Sequence, residues 1–235
     1  MGNPTAAVVP AAGQGLRMGG TTPKQFLALG GVPIIVHTLR VLQHSAAVSE
    51  IILAVPAADR EYCLHDIVAC YGFTKVTKVV AGGERRQDSV RHGLAEVGAS
   101  MDIVLVHDAV RPFVTVQMIQ QVIDRAAEHG AAIVAVPMRD TVKRADADGI
   151  VHDTLSRENL WLAHTPQAFR RTLFCEAHRR AESDGFHGTD DAQLVERLGH
   201  RIETVDSSWE NIKITRPEDL AIGEAILAAR AKRDR

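Results

Sequence analysis

Cysteine is scarce in this sequence and poorly placed for pairing: Cys63, Cys70 and Cys175 are odd in number and form no CxxC. A disulfide scaffold and a cysteine zinc site are excluded, and reduced thiols in a cytoplasmic setting are expected. A long apolar run is also missing. Nothing approaches the roughly 20 residues of a membrane helix, and the N-terminus lacks the basic-then-apolar layout of a secretory signal. Nor is there an excess of one charge, since 27 Lys and Arg against 29 Asp and Glu leave a net charge of −2. That removes a global basic field for DNA or RNA while allowing a local basic pocket. Eleven histidines include no HExxH and no paired-ligand spacing, so His107, His152, His164 and His187 are background. Gly-x-Ser-x-Gly is absent, which removes the usual nucleophile elbow. No internal repeat occurs, and the charged tail Arg230 to Arg235 reads as a fraying end.

What is present is a globular composition, 46% hydrophobic and 24% charged over 235 residues, enough to bury a full core in a single domain, 1–235. Short β-branched runs alternate with helical patterns. Strands are expected at Thr5 to Val9, Ile51 to Val55, Val76 to Val80, Ile103 to Val106 and Ala132 to Val136. Between them, helices are expected after Pro33, over Asp59 to Tyr71 closed by Gly72, over Ser89 to Val97, and over Val116 to His129 closed by Gly130. Strands joined by helical crossovers make an α/β fold, a mostly parallel sheet with helices on both faces. Thr141 to Leu155 breaks the period with two short extended pieces around Asp148-Gly149, a hairpin signal. Carrying little apolar residue, this hairpin is expected to project as an arm over 138–160 and gain burial against a second subunit; the alternative is an exposed hairpin on a monomer. Leu160 to Phe169 then returns to the body, and Arg171 to Ser183 is helical. Thr189-Asp190-Asp191 caps a helix to Leu198, Ile202 to Val205 and Asn211 to Ile214 read as strands, and Thr215 caps a last helix.

The segment from Pro10 to Met18, Pro-Ala-Ala-Gly-Gln-Gly-Leu-Arg-Met, leaves the carboxyl end of the first strand, where ligands bind in open parallel sheets. Pro10, Ala11, Ala12, Gly13 and Gly15 carry little side chain, so backbone N–H groups can approach an anion, while Arg17 and Lys24 add a forked donor and a point charge. Neither better-known phosphate loop fits. Met18 stands where a dinucleotide fingerprint needs its third glycine, and no Gly-Lys-Ser/Thr tripeptide occurs. Two more stretches gather at the same cleft. Gly82-Gly83-Glu84 runs into a helix start, where backbone groups and the Ser89 hydroxyl can read a base edge, or simply cap the helix. His107-Asp108-Ala109-Val110-Arg111-Pro112 ends an inner strand, where Asp108 can hold Mg²⁺ directly or through water and Arg111 can grip a phosphate. A helix cap and a surface charge are the plainer roles for those two. Lys213 lies among apolar residues on a late segment, a position usual for a sheet edge.

The Ala-Ala-Gly-x-Gly-x-Arg-Met loop with Pro23-Lys24-Gln25-Phe26, and the His-Asp-Ala-x-Arg-Pro block, resemble the sugar-nucleotidyltransferase superfamily. Among its members the chain looks like the 2-C-methyl-D-erythritol 4-phosphate cytidylyltransferases, from Thr5 to about Leu227, departing at Gln14, Leu16 and Glu84. The resemblance implies a Rossmann-like, Mg²⁺-dependent, homodimeric cytidylyltransferase. It would use CTP and a polyol phosphate, and one activity is expected in a chain of this length. Pro10, Ala11, Ala12, Gly13, Gly15, Gly83, Glu84 and Ser89 would bind CTP. Arg17, Lys24, Lys213 and Asp108 would be catalytic, the metal being held mainly by the CTP phosphates. Arg111, Thr141, Arg157 and Thr165 would bind the second substrate, with Arg157 donated by the neighbouring subunit. A cytidylyltransferase for another polyol phosphate, such as ribitol 5-phosphate, and a non-catalytic CTP-binding regulator are the alternatives.

Overall fold

The computed structural model describes residues 3–13 and 22–233. Its centre is a seven-stranded sheet in the order β11-β7-β10-β6-β1-β4-β5. The strands are β1 (Thr5–Pro10), β4 (Glu50–Val55), β5 (Val76–Ala81), β6 (Ile103–Val106), β7 (Ala131–Pro137), β10 (Trp161–Arg170) and β11 (Glu203–Asp206). Pairing is parallel everywhere except along β10, which runs against both β6 and β7. A lone reversed strand needs no helical crossover, so β10 follows directly from the arm that precedes it.

The pleat sorts β1 between two cores. Ala7 and Val9 face a cluster under α1 (Ile34–His44) and α4 (Val116–His129), while Ala6 and Val8 face one under α3 (Arg86–Ala95), α5 (Arg171–Ser183) and α6 (Asp191–Glu196). Buried on both faces, these inner strands must be apolar at every position rather than alternating, which is why they read as short continuous runs. Gly93 lets α3 lie close on β1, for a Cβ there would sit 2.5 Å from Val8 Cγ1. A third cluster, Leu29, Ile34, Val110, Phe113 and Ile214, lies beneath α7 (Pro217–Arg233).

Most expected elements occur within a residue or two, with informative departures. A hairpin of β2 (Ala28–Leu29) and β3 (Val32–Pro33), turning on Gly30 and Gly31 at φ 59° and 76°, was not expected. The helix expected over 59–71 is a short α2 (Arg60–Tyr62) followed by π-helical Cys63–Ala69, with Cys70 N–H donating five residues back to His65 O at 3.1 Å. Helix α3 begins at Arg86, three residues before the expected start, because Asp88 reaches back to accept from Arg85 N–H at 3.2 Å. Asn211 to Ile214 is not a strand. Its N–H groups turn back to Ser208 O and Glu210 O, and Ile214 N–H reaches Val110 O at 2.9 Å, leaving no ladder. The tail is not frayed through Arg233 either: α7 extends that far, and Arg230 and Arg233 both pair with Glu210. The arm is a separate antiparallel sheet of β8 (Val142–Ala145) and β9 (Val151–Leu155). Asp146 Oδ1 accepts from the N–H groups of Asp148 and Ile150 in its turn, and Ile150 and Val151 are exposed.

Candidate active site

The carboxyl ends of β1, β5 and β6 open onto one cleft. One wall is the bend after β1, Pro10 to Gly13; Lys24 enters from the short helical turn Lys24–Phe26; the opposite wall is Gly83, Glu84 and Ser89; Asp108 and Lys213 form the floor. Ten expected residues are thus brought together. Of the others, Gly15 and Arg17 lie outside the described residues.

Small residues are required at the Gly82-Gly83 turn by contact. A Cβ on Gly82 would lie 2.2 Å from Ala12 Cβ and 2.9 Å from Ser89 Oγ, and one on Gly83 would lie 2.3 Å from Asp88 Cβ. The buried Ser89 hydroxyl accepts from Gly83 N–H at 3.1 Å and lies 3.2 Å from Arg85 O as donor, so it holds the turn in shape. Glu84 is exposed.

Asp108 organises the charges. Its Oδ1 accepts from Arg86 Nε at 2.8 Å, its Oδ2 pairs with Lys213 Nζ at 2.7 Å, and Arg111 Nε stands 3.8 Å from Oδ2. Burial by itself would raise this carboxyl, but Arg86, Lys213 and Arg111 override it and hold it far below the usual carboxylate range. Arg86 also places Nη1 2.6 Å from the buried Asp191 Oδ2. Burial opposes the Arg86 charge, yet the two carboxylates more than compensate and keep it cationic. Burial pushes Asp191 up, with Arg86 opposing. Removing one member of such a buried set typically costs about 3–5 kcal/mol, because a charge is left without its partner.

Behind the floor runs a buried chain of polar groups. Asp108 N–H donates to Thr165 Oγ1 at 3.0 Å, and that hydroxyl meets His107 Nδ1 at 3.1 Å. His107 Nε2 faces Arg111 O at 3.1 Å. Since Oγ1 already accepts from Asp108, its proton points to Nδ1, and the proton of a neutral His107 is therefore on Nε2. Burial lowers the pKa of this histidine to about 4. Arg111 Nη1 donates to Asn211 O at 2.7 Å, and Asn211 Nδ2 to Thr165 O at 3.0 Å. Arg111 and Thr165 thus lie beneath the cleft, braced against each other rather than lining it. Thr141 and Arg157 are exposed on the arm outside the cleft, with Arg157 contacting Arg139 O.

Sequence reasoning missed Arg86 and Asp191. Two arginines beside a helix N-terminus oppose its dipole, and that conflict was the available signal. Asp190-Asp191 carried another, because one acid suffices as cap. Asp190 takes that role, accepting from Gln193 N–H at 3.0 Å, and Asp191 is left for Arg86.

For a divalent metal the donor set is thin: among the described residues no cluster of three or more His, Cys, Asp or Glu side chains occurs. Both oxygens of Asp108 already meet cations. The site therefore fits an ion that arrives with a polyphosphate and is touched by one carboxylate, rather than an ion caged by protein.

A bare-backbone wall at parallel strand ends, with cations converging on one carboxylate, defines an enzyme of the nucleotidyltransferase class. The family model for 2-C-methyl-D-erythritol 4-phosphate cytidylyltransferase matches residues 5–229. The enzyme of that name from Syntrophus aciditrophicus is 50% identical over 94% of both chains, and that from Pelotomaculum thermopropionicum 48% over 97% of this chain and 96% of its own. The crystal structure of 4-diphosphocytidyl-2C-methyl-D-erythritol synthase from Anaerococcus prevotii superposes with a TM-score of 0.84 at 31% identity, over 97% of this chain and 100% of that one. The chain belongs to the 2-C-methyl-D-erythritol 4-phosphate cytidylyltransferase family.

Proposed function

We propose that this protein transfers the cytidylyl group of CTP to 2-C-methyl-D-erythritol 4-phosphate. The products are 4-diphosphocytidyl-2-C-methyl-D-erythritol and pyrophosphate, on the route to isoprenoid precursors. The observation that carries this, beside family membership, is the convergence of Lys24, Lys213 and Arg86 on a glycine-walled cleft.

The attacking oxygen belongs to a phosphate monoester whose second ionisation lies near pH ~6, so it is anionic at neutral pH without a strong base. That agrees with the floor, where His107 is neutral and its nitrogens face Thr165 and Arg111 O. The barrier is the approach of one anion to the α-phosphorus of another, which positive charge and in-line positioning lower. Lys24, Lys213 and Arg17 are assigned to the triphosphate, and Pro10 to Gly13 and Gly15 with Gly83, Glu84 and Ser89 to the nucleoside. Mg²⁺, bound with the triphosphate and within reach of Asp108, would supply further charge neutralisation. Arg157 and Thr141 are assigned to the polyol phosphate, reached from the arm of a neighbouring subunit, with Arg111 and Thr165 shaping that side from below. Exposed Ile150 and Val151 support the arm as a dimer contact. A cytoplasmic setting is supported by three free cysteines, and no helix among the described residues is long and apolar enough to cross a membrane.

The test is pyrophosphate release from CTP, UTP, ATP and GTP with 2-C-methyl-D-erythritol 4-phosphate or ribitol 5-phosphate. Turnover confined to CTP with the methylerythritol substrate is expected. Turnover with ribitol phosphate alone, or CTP binding without turnover, would overturn the assignment. Mixed dimers of Arg157→Ala and Lys24→Ala subunits should recover activity that neither homodimer has.

A further inference from the structure

Asp108 is held from two sides by unequal means. On one side Arg86 bridges it to Asp191, which is buried at the start of α6. That helix is itself anchored: Ala192 N–H donates to Gln167 Oε1 at 3.0 Å, and Gln167 Nε2 to Asp190 Oδ2 at 2.8 Å. On the other side stands Lys213, whose side chain is 35% exposed and whose segment makes no strand ladder. The two cations differ in what moving them would break. Withdrawing Arg86 breaks contacts with two carboxylates, whereas withdrawing Lys213 breaks one and leaves Asp108 still paired. A polyanion in the cleft competes with Asp108 for Lys213, and a carboxylate left with only Arg111, whose Nε stands 3.8 Å away and whose Nη1 donates to Asn211 O, would resist.

We propose that Arg86 is a positioning residue for cytidylyl transfer: anchored by Asp191, it keeps Asp108 paired so that Lys213 can leave that carboxylate for the entering triphosphate. Arg86 acts through Asp108 and not on the nucleotide. The inference rests on the proposed function for the identity of the entering anion.

Calorimetric titration of the full chain with CTP and Mg²⁺ tests this without relying on turnover. Arg86→Gln should lower CTP affinity by at least about tenfold, because Lys213 is retained by Asp108. The distinguishing result is its reversal: Asp108→Asn added to Arg86→Gln should restore affinity toward that of Asp108→Asn alone, since the competing carboxylate is gone. A merely structural arginine would lower the urea midpoint of Arg86→Gln while leaving the CTP affinity of the folded protein unchanged, and an arginine touching the nucleotide would leave its loss in place in the double variant. Either result, or wild-type affinity in Arg86→Gln, overturns the proposal. If Arg86→Gln does not fold, Asp191→Asn decides, because it loosens the anchor while retaining both cations. A smaller fall in affinity, again reversed by Asp108→Asn, supports the proposal, and its absence overturns it. Failure of the wild-type chain to bind CTP would refute the proposed function instead.

Discussion

Replacing Thr165 by Val removes one hydroxyl and almost no volume. Thr165 is 4% exposed, and its Oγ1 is where Asp108 N–H donates at 3.0 Å and where His107 Nδ1 is met at 3.1 Å. Val satisfies neither, and each buried polar group left without a partner costs about 1–3 kcal/mol. The expected loss is therefore roughly 2–6 kcal/mol, which for a chain of this length lowers the melting temperature by roughly 4–24 °C. Urea unfolding at pH 7, followed by circular dichroism and by the fluorescence of Trp161 and Trp209, measures it. Thr165→Ser keeps the hydroxyl and should recover most of the loss. A Thr165→Val protein of wild-type stability but with impaired turnover would refute the argument, for the hydroxyl would then serve the substrate and not the floor of the site.

Lys24→Ala should lower turnover at least about a hundredfold, as for loss of one electrostatic stabiliser, with little change in melting temperature. Stability should fall on acidification. His107 and His178 are buried, with pKa values lowered by burial to about 4 from an ordinary 6.5, so the unfolded chain takes up their protons first. The contribution is complete above pH ~6.5 and declines toward pH ~4, by at most about 3 kcal/mol for each. Urea unfolding at pH 7 and at pH 4.5 measures that slope, which His178→Leu should make shallower. Gly93→Ala should destabilise by about 1–3 kcal/mol, since its Cβ would press on Val8 Cγ1 at 2.5 Å, and Val8→Ala in the same chain should recover part of it.

Local chemistry was legible where one signal sufficed. Val116 to His129 was bounded correctly because Thr115 accepts from Met118 N–H at one end and Gly130 takes φ 94° at the other. Gly82 and Gly83 were legible as a turn, and crowding by Ala12, Ser89 and Asp88 admits no side chain there. Direction was not legible: the apolar run of β10 looks the same whether it runs with its neighbours or against them. Asn211 to Ile214 imitated a strand by alternating isoleucines with polar residues, yet its hydrogen bonds go to turns and to Val110. The site divides likewise. Lys24 and Asp108 were expected at the cleft from their motifs, and Lys213 only from the family resemblance; all three line it. The Arg86 to Asp191 link joins distant parts of the sequence, and only the packing of α6 beside α3 brings its ends together. Thr165 and Arg111 were expected to touch the second substrate, and their place beneath the cleft depends on contacts across the sequence, Thr165 on β10 with Asp108 N–H and Arg111 with Asn211 O.

The clasp of α7 on Glu210 has a practical corollary. Arg230 Nε and Arg233 Nη2 hold Glu210 at 3.0 and 2.8 Å, one residue ahead of Asn211, whose carbonyl receives Arg111 and whose amide supports Thr165. Trimming the final helical turn, or crowding it with a purification tag, would slacken the lysine-bearing segment from behind. Assays meant to characterise the cleft are best run on protein tagged at the opposite terminus.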